Sequence, residues 1–171
     1  MINEKLEDAI NKQINRELYS AYLYLSMAAW FETKGYSGFA NWMQVQFEEE
    51  TFHAMKFFNY INERGGRVKL MDIEAPPKDW ESPLDAFKYT YEHETKVTAL
   101  INNLMKIATE ENDYAAISFL NWYVDEQVEE EANASELVEK LKMTGKNGSA
   151  IFMLDKELAA RVFNPPASSE D

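Results

Sequence analysis

The sequence predicts an all-α domain, an antiparallel four-helix bundle with one long crossover and a short fifth C-terminal helix. Three observations carry this. Apolar residues recur at steps of three and four through four segments of helix length. Glycine and proline are scarce, six and five in 171 residues, and nearly all lie between those segments or at their edges. The one long aperiodic stretch, 67–84, separates the second segment from the third.

Residues 3–34 read as the first helix, with Ile10, Ile14, Glu17, Ala21, Tyr24 and Ala28 on one face. "TKGYSG" breaks it, and Gly35 stands just past the end as a stop. The second helix covers about 38–64, with the stripe Phe39, Met43, Gln46, Glu50, His53, Phe57 and Tyr60; Gly65 and Gly66 end it. Ser82 offers an N-cap with Pro83 at the first helical position, which starts a third helix over 83–110. Its stripe is Phe87, Tyr91, Glu94, Val97, Ile101, Leu104 and Ala108. After "EENDY", a fourth helix over 114–143 shows Ala116, Leu120, Tyr123, Gln127, Glu130, Ala134, Leu137 and Leu141. A short helix over 150–163 and a polar tail, 164–171, complete a single domain.

Loop length sets the topology. Short breaks make antiparallel hairpins of the first and second helices and of the third and fourth. The linker between hairpins, about 17 residues, can span roughly 55 Å extended. A 25-residue helix is only about 37 Å long, so the linker can run the length of the bundle and set the second and third helices parallel.

Acidic residues outnumber basic ones by 30 to 17, a formal charge of −13. Such a surface disfavours nucleic acid and anionic membranes and attracts cations. With no cysteine, disulfides, thiolate metal sites and cysteine nucleophiles are excluded. The first residues carry no apolar core of signal-peptide length and no later run is long enough to span a membrane, so a cytoplasmic location is expected.

Each core-facing stripe carries one glutamate: Glu17, Glu50, Glu94 and Glu130. Glu17 and Glu50 stand at similar distances from the first turn, and Glu94 and Glu130 from the second, so each hairpin brings its pair level. Four buried carboxylates without compensation would each cost several kcal/mol. No stripe supplies a lysine or arginine; the second supplies His53, three residues after Glu50 and on the same face. That set describes a site for two divalent cations, with iron or manganese favoured and zinc fitting less specifically.

Glu49, Glu126 and Glu129 lie beside these residues and with Glu130 form either a second, more exposed cation site or a solvated acidic face. Glu48 and Glu131 read as solvent-facing, and His93 as outward-facing. Tyr24 is either a core residue bonded to a ligand or an electron donor, and the pattern favours the first. Trp42 and Trp122 read as packing.

The segments "NRELYSAYLYLSMAAWFE", "GFANWMQVQFEEETFHAMKFFNYI", "YEHE" and "NWYVDEQVEEE", in this order, resemble the ferritins over nearly the whole chain, and the non-haem ferritins of bacteria and archaea closely. The resemblance implies a di-iron ferroxidase centre, with a first iron on Glu17, Glu50 and His53. A second iron would be held by Glu94 and Glu130, with Glu50 bridging. It further implies Gln127 lining the centre, Tyr24 beside it, and a third iron site on Glu49, Glu126, Glu129 and Glu130. The implied assembly is a hollow homo-24-mer that oxidises Fe(II) with O2 or H2O2 and stores a ferric oxide mineral. Haem is not expected, because Phe52 and Glu130 stand where bacterioferritins carry a methionine and a histidine. The competing functions are an oxidase or peroxidase that keeps its two irons, and a bundle with a purely structural metal. The short fifth helix favours the storage reading, since an element beyond a complete bundle suggests assembly contacts.

Overall fold

Helix boundaries follow their caps. In the computed structural model, which describes residues 1–165, the helices are α1 (Glu4–Thr33), α2 (Ser37–Glu63), α3 (Pro83–Glu110), α4 (Tyr114–Thr144) and α5 (Gly148–Leu158). Asn3 accepts from the Lys5 N–H to open α1, and Ser82 accepts from the Asp85 N–H to open α3, with Pro83 behind it. Gly35 and Gly65 take positive φ where α1 and α2 stop. Asp113 caps α4 at the Ala116 N–H and also receives both terminal nitrogens of Arg64, at 2.9 and 3.2 Å. One side chain therefore starts α4 and ties it to the end of α2.

The start of α2 has no cap of its own. Asp155, buried in α5, accepts from the Gly38 and Phe39 N–H groups at 2.9 and 3.0 Å. The contact is close enough that a Cβ on Gly38 would lie 1.6 Å from the Asp155 carbonyl oxygen. This docking shifts α5 from its expected span. It begins two residues early, because Asn147 accepts from the Ser149 and Ala150 N–H groups, and ends five early, at Leu158. The tail expected at 164–171 lies largely outside the described residues.

The crossover runs along α1, which supplies its polar partners. Asn11 bonds the Arg67 carbonyl at 3.0 Å and the Lys69 N–H at 2.6 Å, Asn15 bonds the Asp72 carbonyl, and Ser26 bonds the Pro77 carbonyl. Trp80 then meets Trp30 edge to face. The chain so crosses from the N-terminal to the C-terminal end of α1, and α3 runs back until Glu110 and Glu111 meet Lys5. The result is an all-α antiparallel bundle with α2 and α3 parallel.

Every stripe residue expected on α1, α2 and α4 is buried. On α3, Tyr91 is exposed and Thr90 takes the inner position, its hydroxyl bonded to the Ala86 carbonyl. Both lie between Phe87 and Glu94 at helical steps, and the smaller side chain suits the contact with Met27 on α1. The core is divided. One apolar cluster holds Leu23, Met27, Phe31, Phe39, Phe87 and Leu141; the other holds Ile10, Phe57, Ile101 and Leu120. Between them lies a polar waist.

Candidate metal centre

The waist is built from one turn of each bundle helix. Glu17, Glu50, His53, Glu94, Gln127 and Glu130 are all buried there, with Gln13 and Gln46. Helical period brings Glu17 and Glu50 inward, and the α1–α2 hairpin brings them level. Tyr24 and Tyr123 close the waist from its two sides, Tyr24 donating to Glu94 and Tyr123 to the His53 carbonyl at 2.8 Å.

Donor atoms of Glu17, Glu50 and His53 lie within 4.8 Å of one another, so a single cation can touch all three. The His53 Nδ1 lies 3.6 Å from Glu50 Oε2, an oxygen that is buried and has no hydrogen-bond partner. Glu94 and Glu130 are not in this group. Glu94 accepts from Tyr24 and from the Gln127 amide at 3.3 Å. Glu130 accepts from the Gln46 amide at 3.0 Å, and Glu17 from the Gln13 amide at 2.9 Å. Among the described residues, no lysine or arginine pairs with these four carboxylates.

The electrostatics follow from that. Burial pushes the Glu17, Glu50 and Glu130 carboxyls above the usual range, Glu50 and Glu130 strongly, with the Glu94 charge adding to it for both. Burial also raises Glu94, to about 7, and its bonds to Tyr24 and Gln127 oppose the rise. Burial, with a smaller contribution from the Lys56 charge, lowers His53 to about 4, so its imidazole is neutral at pH 7 and offers a lone pair. An orphaned carboxylate oxygen, a neutral imidazole and hard oxygen donors with no basic partner fit a divalent cation, which would replace protons as it binds.

The sequence match decides the family. A model of the ferritin family, described as the ferritin-like domain, matches residues 7–144. The chain belongs to the ferritin family. It is 47% identical over 161 residues to a bacterial non-heme ferritin of Bacteroides fragilis, covering 94% of this chain and all of the relative. A bacterial non-heme ferritin of Staphylococcus aureus is 42% identical over 164 residues, covering 96% of this chain and 99% of the relative. Among solved structures, an open-pore ferritin of the hyperthermophilic archaeon Archaeoglobus fulgidus matches with a TM-score of 0.94 and 55% identity, over 95% of this chain and all of that one. A closed form of that ferritin, made by site-directed mutagenesis, matches at 0.95 and 55%, over 96% of this chain and all of that one. This is a non-haem ferritin of the bacterial and archaeal type, and the family implies iron storage with ferroxidase activity.

Three sequence expectations change in this ferritin. Glu131 is half-buried and accepts from the Thr98 hydroxyl at 2.5 Å; Thr98 in turn accepts from Gln127 at 3.2 Å. A chain of bonds so joins Glu131 to Glu94. His93 is also half-buried, because the close approach of α1 sets the Ser20 hydroxyl 2.7 Å from its Nε2. Trp122 does more than pack: it meets the His53 ring edge to face at 5.3 Å and carries Lys56 on its face at 4.4 Å.

Of the neighbouring acids, Glu49 and Glu126 are half-buried, Glu129 is exposed and Glu130 is buried. Glu126 Oε1 stands 3.9 Å from His53 Nε2. Sequence reasoning missed the roles of two buried amides, Gln13 and Gln46. Gln13 precedes Glu17 by four residues, a spacing that signals contact on one helix face. Gln46 was on the buried stripe, where an amide needs a partner.

Proposed function

We propose that this ferritin oxidises Fe(II) at a di-iron centre in the waist and stores the ferric product as an oxide mineral inside a shell of 24 copies. The convergence of Glu17, Glu50 and His53 within 4.8 Å, with a Glu50 oxygen left unpartnered, carries this reading. These three residues hold a first Fe(II), Glu94 and Glu130 hold a second, and Glu50 serves both. Gln13, Gln46, Gln127 and Tyr24 aim the carboxylates, and the apolar clusters on either side keep bulk water out.

Carboxylates are hard donors that favour Fe(III), so they lower the potential of bound iron and help O2 or H2O2 accept electrons. Two Fe(II) supply the two electrons that reduce O2 to H2O2, with two protons taken up. Glu49, Glu126, Glu129 and Glu130 form a third cation site beside the pair. No described helix is long and apolar enough to cross a membrane. A cytoplasmic store is the setting that fits.

Light scattering tests the assembly: the shell should weigh about 480 kDa, 24 times the 19.9 kDa chain. Several hundred Fe(II) per shell, added in air, should then yield a soluble ferric core. A monomer or dimer, or a particle that keeps only two irons per chain, would overturn the storage reading.

A further inference from the structure

The chain beyond α5 turns back along α2 and lays a cation on an acidic patch. The Asn41 amide donates to the carbonyls of Leu158 and Arg161, at 3.1 and 3.0 Å, and so fixes the turn. Arg161 then makes three contacts. One terminal nitrogen reaches the Trp42 carbonyl at 3.4 Å, the guanidinium lies 4.5 Å above the Trp42 ring, and the other terminal nitrogen meets Glu49 Oε2 at 2.6 Å. Phe163 packs against Phe52, one turn past Glu49. Arg161 and Glu49 are both about one-fifth exposed, so this is a held pair rather than a loose surface contact.

The pair sits beside the centre. Glu49 feels the charge of Glu129, and Glu130 feels the charge of Glu49 and, with opposite sign, that of its partner Arg161. The guanidinium thus stands where a cation moving from the waist toward these carboxylates is drawn. Nothing in the periodicity of the sequence pointed to it, since 112 residues separate the partners.

We propose that Arg161 is a tethered counter-ion that competes with metal ions for Glu49, so that the strap 159–163 sets how tightly a third cation is held beside the centre. This rests on the reading of Glu49, Glu126, Glu129 and Glu130 as a cation site. The exchange breaks no covalent bond: the guanidinium leaves Glu49 as the metal arrives and returns when it departs. Stacking on Trp42 keeps the displaced guanidinium close. Its return then favours passage of the ion onward over retention.

Zn(II), which has no redox chemistry, is the probe. Calorimetric titration of the metal-free assembled protein should resolve a tight class of ions at the waist and a weaker class beside it. In Arg161→Gln, which keeps a polar side chain and removes the charge, the weaker class should tighten roughly tenfold, with the tight class unchanged. Adding Glu49→Gln to that variant should abolish the gain. A weaker class that is unchanged or loosened in Arg161→Gln would overturn the proposal and leave the pair as a staple for the strap. Absence of the tight class in the wild type would instead overturn the metal-centre reading. Should Arg161→Gln fail to assemble, Arg161→Lys keeps the charge without the planar fork and should give a smaller tightening; no tightening there also overturns the proposal.

Discussion

Gln46 donates to a Glu130 carboxylate oxygen at 3.0 Å across the core, while its own carbonyl oxygen has no partner. The amide is thus spent on a single bond that holds a carboxylate in place. Gln46→Leu should lower the stability of the metal-free protein by about 1 kcal/mol, since Glu130 loses its donor. Saturating Zn(II) should shrink that difference, because the cation takes over the carboxylate. Melting curves with and without Zn(II) read both; a difference that survives metal would assign Gln46 to packing alone.

Glu50→Ala and His53→Ala should each slow Fe(II) oxidation by at least about tenfold. Glu48→Ala, on the exposed face of the same turn, should leave the rate within about twofold. Glu130→Ala should cost more than Glu131→Ala, since Glu131 reaches Glu94 only through Thr98 and Gln127. Stopped-flow absorbance of Fe(III) measures all five.

The metal-free protein should lose stability as pH rises through about 7. Glu94 has a folded-state value of about 7, above its unfolded value of 4.5, so the native state holds the extra proton and its advantage vanishes as that proton leaves. The raised Glu50 and Glu130 act in the same direction. His53 and His93, both lowered to about 4, oppose this only below their ordinary 6.5, where the unfolded chain takes up protons. Between pH 6.5 and 8 the carboxylates therefore decide the sign. Thermal melting should show a lower Tm at pH 8 than at 6.5, and Zn(II) binding near pH 7 should release protons, read from the dependence of binding heat on buffer.

Gly38→Ala should dislodge α5. The added methyl meets backbone, which cannot step aside as a side-chain tip can, so a loss of about 3 kcal/mol is expected. Asp155→Ala removes the borrowed cap from α2 and should cost about 1–2 kcal/mol. Denaturant melts rank the two. Equal and negligible effects would show that α5 is not docked as described.

The helical period specified which face of each helix is buried, and it carried Glu17, Glu50, Glu94 and Glu130 inward with the apolar stripes. Hairpin loop lengths then set their heights, and the crossover length set the topology. These are local quantities, written in residue spacing. The partners of each carboxylate were a different matter. Gln46 to Glu130, Gln127 to Glu94 and Thr98 to Glu131 depend on rotamers facing each other between helices, which spacing along one helix does not encode. His93 lay off the stripe by rotation, yet Ser20 of α1 came close enough to cover it. At Thr90 and Tyr91 the period allowed either residue inside, and the fit against Met27 chose the smaller. Residue spacing alone therefore specifies a bundle with carboxylates at its centre, because one helix repeat governs both. Which amide holds which carboxylate, and the return of Arg161 to Glu49, emerge from the packed fold, because those contacts join elements whose relative placement is set by packing.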